Sequence, residues 1–130
     1  MNGSRRDTIR RMTDFLRRVS LFCAIALTIA LLVASVMPSA GQAFGGELHR
    51  RAHLVSFAVL ALAWRWSLPR VPVSMVALGV IGFAFLHEAI EIFGHGHPYE
   101  MEDVAIDASG AVLGLILAQV AKKIASIKQR

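Results

Sequence analysis

The chain has 130 residues, 55% of them hydrophobic, and its 14 Lys and Arg against 9 Asp and Glu give a formal net charge of +5. The length suits one domain, and an apolar share above the roughly 45–50% of soluble globular domains excludes an ordinary water-soluble fold. The cations are spread along the chain instead of forming one basic face, which excludes nucleic acid as a partner.

Residues 1–18 form a basic segment carrying Arg5, Arg6, Arg10, Arg11, Arg17 and Arg18. The segment leads into 19–37, which has no charged residue. Its length matches the roughly 20 residues, rising about 1.5 Å each, that cross a hydrocarbon core of about 30 Å. This is the first predicted span. Ser4-Arg5-Arg6, the apolar run and the small residues of 38–43 resemble a cleavable secretory signal. The run exceeds the roughly 7–15-residue core of such signals and strongly hydrophobic sequence follows it, so a retained helix is expected. Cys23, the only cysteine, lies in this span, so no intrachain disulfide can form.

Three more apolar runs follow at 52–68, 73–93 and 104–120, separated by Pro, Gly, Ser or charged residues at 38–51, 69–72 and 94–103. The second contains His53, Ser56 and Arg65, and the fourth contains Asp107 and Gln119. An ionisable group inside a span costs about 3 kcal/mol on insertion scales, so these residues are expected near span ends or facing a shared interior. Trp64 and Trp66 around Arg65 suit an interfacial belt, where indoles sit at headgroup depth and a long cation reaches water. Residues 122–130 form a basic tail.

The fold expected is all-α: an integral membrane four-helix bundle over 19–121, with 1–18 and 122–130 as flanking segments. Arg65 and Arg70 fall beside the turn between the second and third spans, and Lys122, Lys123, Lys128 and Arg130 follow the last. With the six N-terminal arginines, all of these lie on one side and only Arg50 and Arg51 on the other, which puts both termini in the cytoplasm. That topology gathers His49, His53, His87, His95, His97, Glu47, Glu88, Glu91, Glu100, Glu102, Asp103 and Asp107 at the outer ends of the spans. His87, Glu88 and Glu91 share a helix face by their spacing of three and four. A polar pocket opening outward is therefore expected, covered by the loop 94–103. Gly110 and Gly114, spaced GxxxG, admit close helix approach and also association between copies of the chain.

These residues resemble the VanZ-like family of small multi-pass membrane proteins, whose pattern runs DKxxH into a span, then ExxQ, an Arg six residues on, and DxxxNxxGxxxG. His53 stands at the family His, Glu88 at the Glu of ExxQ, and Asp103, Gly110 and Gly114 at the Asp and both Gly positions. The likeness covers about 46–114. His49 and Arg50 replace the DK pair, Glu91 the Gln, His97 the Arg and Asp107 the Asn. The resemblance implies a protein of the bacterial inner membrane and cell envelope, in a family associated with resistance to teicoplanin-type glycopeptide antibiotics.

The expected site has His53, Glu88 and Asp103 as catalytic groups and Arg50, Glu91, His97 and Asp107 as substrate-binding groups. Its expected ligand is a lipid-linked phosphate or glycan in the bilayer. Arg50 and Arg51 supply oxyanion contacts, and His53 or Glu88 acid/base chemistry. Turnover stays open because no nucleophile is evident: Ser56 lies deeper and Ser109 lacks a base. A non-catalytic accessory protein, a proton-linked transport subunit and a metal site remain alternatives. For the last, His87 and Glu91 share a face and His53 or Asp107 can add a ligand, but HExxH and cysteine ligands are missing. No metal ligand is assigned and no cofactor identified.

Overall fold

The computed structural model describes residues 3–43, 45–96 and 98–127, with 3–6, 41 and 42 described by their backbone alone. Of the residues singled out above, His97, Lys128 and Arg130 lie outside the described residues. The described residues form five helices and no strand: α1 (Gly3–Val36), α2 (Pro38–Ala43), α3 (Glu47–Ser67), α4 (Val73–His95) and α5 (Met101–Ile127).

The basic N-terminal segment and the first apolar run are one helix. Arginine is a good helix former, and neither Gly nor Pro interrupts 4–37, so α1 continues for about 51 Å, or 34 residues at 1.5 Å each. Pro38 ends it, because a proline disfavours helical backbone in the residue before it.

Helix α3 starts at Glu47, earlier than the predicted 52, with an acid in its first turn that suits the positive end of the helix dipole. At its other end Arg65 does not extend to water as the sequence implied. It is buried and Nη1 donates to the carbonyl oxygen of Leu68 at 2.9 Å. From α1, Arg17 Nε donates to the Ser67 carbonyl at 3.0 Å. Two arginines thus serve carbonyls at the α3 C-terminus, where positive charge is favoured.

Helix α4 ends at Gly96, whose φ of 74° lies in the left-handed region and whose N–H bonds the Ile92 carbonyl. Glycine meets this conformation without a Cβ penalty. Helix α5 extends beyond the predicted 104–120 at both ends.

Three stretches, Asp7–Val36, Val73–His95 and Met101–Ile127, are long and apolar enough to cross a membrane. Helix α3, the second predicted span, is not among them, because Arg50, Arg51 and Arg65 fall within its length. It is instead the helix around which the others gather, packing against α5, α1 and α4. The core is Phe57, Leu60, Ala61, Val76, Val80, Ala84, Val104, Ala111 and Leu115. Large apolar side chains also point outward, among them Phe22, Leu78 and Phe93. An outward surface of this kind suits lipid far better than water.

The contact between α3 and α5 fixes the site. Both glycines of the GxxxG pair are used here: a Cβ at Gly110 would overlap the Leu54 carbonyl, and one at Gly114 the Ala58 carbonyl. The pair therefore brings two helices of one chain together. The partners on α3 and on α5 advance in the same direction by the same four residues, so the two helices run parallel and in register.

Candidate functional site

That parallel register sets two histidines of α3 against two acids of α5. His49 Nε2 donates to Asp103 Oδ2 at 3.0 Å, and one turn along His53 Nδ1 donates to Asp107 Oδ1 at 2.9 Å. The His49 and His53 rings lie 4.3 Å apart between centroids. In each pair the carboxylate fixes the orientation of an imidazole and leaves the other ring nitrogen for a further partner.

Helix α4 adds His87, Glu91 and His95, all on one face by their spacing of four. Glu91 Oε1 lies 3.7 Å from His87 Nε2 and 3.9 Å from His95 Nδ1, and His87 Nδ1 lies 3.9 Å from Asp107 Oδ2. These are electrostatic approaches, too long for direct hydrogen bonds. His95 Nε2 donates to the Ala34 carbonyl at 3.1 Å, tying the end of α4 to the end of α1. Gly94 permits that crossing, since a Cβ there would overlap the Ser35 carbonyl.

His49, His53, His87, Glu91 and His95 line a cavity of about 210 Å³, with Leu31, Ala34, Ala40 and Phe57 among its other walls. Phe57 meets His87 edge-on at 5.6 Å between ring centroids. One turn further along the same three helices a second, apolar crevice of about 380 Å³ begins, lined by residues that include Thr28, Leu60, Trp64, Met75, Gly79 and Phe83. On α1, Leu31 and Thr28 lie one turn apart across the division; Phe57 with Leu60 and His87 with Phe83 do the same on α3 and α4.

The predicted site residues divide into three groups. His53 and Glu91 face the cavity, and Asp103 and Asp107 stand behind its histidines. Glu88 is fully buried, outside the cavity lining, and its Oε1 accepts the Glu100 backbone N–H at 2.7 Å. It anchors the start of α5, whose first turn bonds the Glu100 carbonyl. Arg50 lies on another side of α3, where it pairs with Glu102 at 2.8 Å while Arg51 pairs with Glu47. Both arginines border an exposed groove, away from the histidines. Their guanidinium groups are directed at Glu102 and Glu47 and do not line the cavity.

Sequence reasoning assigned no role to His49 or His95. Helical spacing was the available signal: His49 is four residues from His53, and His95 is four from Glu91 and eight from His87. Several polar atoms of the cluster are buried without a hydrogen-bond partner: His87 Nδ1, Glu91 Oε2 and Asp107 Oδ2. Among the described residues, His53, His87 and Asp107 bring one donor atom each within 4.8 Å of one another, as do His49, His53 and Asp103. Comparison with protein-family models, curated proteins and solved structures returns no match to this chain.

Proposed function

We propose that this chain is a VanZ-like multi-pass protein of the bacterial inner membrane that binds a lipid-linked phosphate or glycan from the outer leaflet. In this reading α1, α3, α4 and α5 all cross the bilayer as a four-helix bundle with both termini in the cytoplasm. Helix α3 crosses inside the bundle, its Arg50 and Arg51 at the outer surface and its Arg65 at the inner end.

One observation carries the proposal: the histidine-lined cavity and the apolar crevice adjoin along the same faces of α1, α3 and α4. A lipid has the same division, a polar head and an apolar chain, and crevices between membrane helices are usual ligand sites. The imidazoles can donate to oxyanions, while Phe83, Leu60 and Met75 offer only apolar contact. The His–Asp pairs are also suited to moving protons at the headgroup.

The test is lipid retention. The wild type, extracted in mild detergent, is expected to carry a phosphate-bearing lipid detectable by native mass spectrometry. Gly79→Trp, which fills the crevice, and His53→Gln are each expected to lose it. Equal lipid in all three proteins overturns the reading.

A further inference from the structure

The imbalance of donors and acceptors in the cluster points beyond a lipid headgroup. His87, Glu91 and Asp107 each keep a buried polar atom with no hydrogen-bond partner, and these residues are 3%, 3% and 1% exposed. A buried acceptor without a partner costs about 1–3 kcal/mol, and more for a charged group. Among the described residues, no arginine or lysine side chain lines the cavity to offset the carboxylates. A cluster rich in carboxylate and imidazole lone pairs, with no fixed cation, is matched to a bound cation.

We infer that His53, His87 and Asp107 form a binding site for a divalent first-row transition metal. Two imidazoles and one carboxylate are a donor set of zinc and ferrous centres that keep a coordination position open. The spacing fits. Ligands at 2.0–2.1 Å around a tetrahedral metal lie about 3.3–3.4 Å from one another. Here His53 Nδ1 is 2.9 Å from Asp107 Oδ1 and His87 Nδ1 is 3.9 Å from Asp107 Oδ2, on either side of that value. All three donor atoms lie within 4.8 Å of one another, so an ion is seated by side-chain adjustment in which the His53–Asp107 hydrogen bond gives way to two metal–ligand bonds.

The surroundings of His87 support the same assignment. With Nδ1 toward the metal, its Nε2–H faces Glu91 Oε1 at 3.7 Å, and closing that gap by about 0.5 Å gives the hydrogen bond by which a carboxylate behind a ligand histidine fixes the ring and raises its basicity. Glu91 is therefore a positioning residue. The neighbouring group of His49, His53 and Asp103 is the weaker site, since the His49–Asp103 hydrogen bond leaves neither residue with a buried unpartnered atom. His53 and His87 both line the cavity, so the open coordination position is accessible from it. A lipid phosphate or a water can fill that position, and the metal site does not depend on which one does.

The experiment uses the full chain, purified in detergent without a polyhistidine tag, stripped with chelator and titrated with Co²⁺ and then Zn²⁺. The expected result is about one ion per chain, with visible Co²⁺ absorption of a four- or five-coordinate site that Zn²⁺ abolishes. His87→Gln and Asp107→Asn are expected to lose stoichiometric binding, and Glu91→Gln to weaken it by about 10–100-fold. Cys23→Ala, which removes the only thiol, is expected to bind as the wild type does.

Sub-stoichiometric metal in the wild type overturns the inference whatever the variants do. Full binding retained in both His87→Gln and Asp107→Asn overturns it as well, by placing the ion elsewhere. Because no lipid enters this measurement, its failure is distinct from failure of the lipid reading.

Discussion

His53 Nδ1 lies 2.9 Å from Asp107 Oδ1, and the 54-residue separation between them is the same as that between His49 and Asp103. This equality is the signature of two parallel helices in register, held at close distance by Gly110 and Gly114. Of these pairs only His53–Asp107 is buried on both sides. In a double-mutant cycle with Ala, the coupling of His53 and Asp107 is expected to be about 1–3 kcal/mol, in the range of buried networks. The exposed pair of Arg51 and Glu47 should couple by less than about 0.5 kcal/mol. Unfolding in mixed detergent measures both cycles, and equal couplings would contradict the account.

Replacing Gly114 by Ala drives a methyl group into the Ala58 carbonyl, which belongs to backbone and cannot turn aside. The expected loss is about 1–3 kcal/mol, as for other overpacked contacts. Gly82 has open space where its Cβ would stand. Gly82→Ala is therefore expected to be neutral or slightly stabilising, since Ala is the better helix former by about 1 kcal/mol. Thermal unfolding of the two variants should separate clearly.

Glu88 acts through the Glu100 amide. Glu88→Gln keeps an oxygen acceptor and is expected to leave α5 unchanged, whereas Glu88→Leu removes it. Hydrogen exchange at the Glu100 amide should then accelerate at least about tenfold, the equivalent of roughly 1.4 kcal/mol. Equal exchange in both variants would show that Glu88 has no anchoring role.

Much of this architecture follows from local pattern. The apolar runs and their punctuation locate α1, α3, α4 and α5, and the GxxxG spacing locates the closest helix contact. The limits of the helices were less legible, because Arg17, Arg18, Glu47 and Met101 continue a helix as readily as they end an apolar run. Arg65 was misread for a related reason. Sequence shows a cation near a span end, but not that nearby carbonyls at Leu68 and Val71 accept its protons inside the bundle.

Long-range pairing was the least visible level. Arg50 pairs with Glu102, away from the cavity, and only the rotation of α3 decides between that side and the cavity. His49 and His95 carried the helical spacing of the cluster without any motif to draw attention to them. His53, Glu91, Asp103 and Asp107 are brought together because α3 meets α4 on one side and α5 on another.

Topology gives a further prediction. In the proposed topology, with both termini cytoplasmic, a reporter active only outside the membrane should be silent when fused after Arg18 or Arg130 and active after Gln42. An active fusion at Arg130 would turn the histidine cavity toward the cytoplasm and remove the outer leaflet as its source of ligand.

The most direct test of the proposed lipid site uses a lipid phosphate carrying a diazirine in its chain, photolysed with the full-length protein in vesicles and mapped by mass spectrometry. The account predicts labelling at the crevice, at Met75, Gly79 and Phe83, competed by unlabelled lipid phosphate but not by a neutral diacylglycerol, and suppressed in His53→Gln. Labelling spread evenly over the outward residues Phe22, Leu78 and Phe93, or unchanged in His53→Gln, would contradict it.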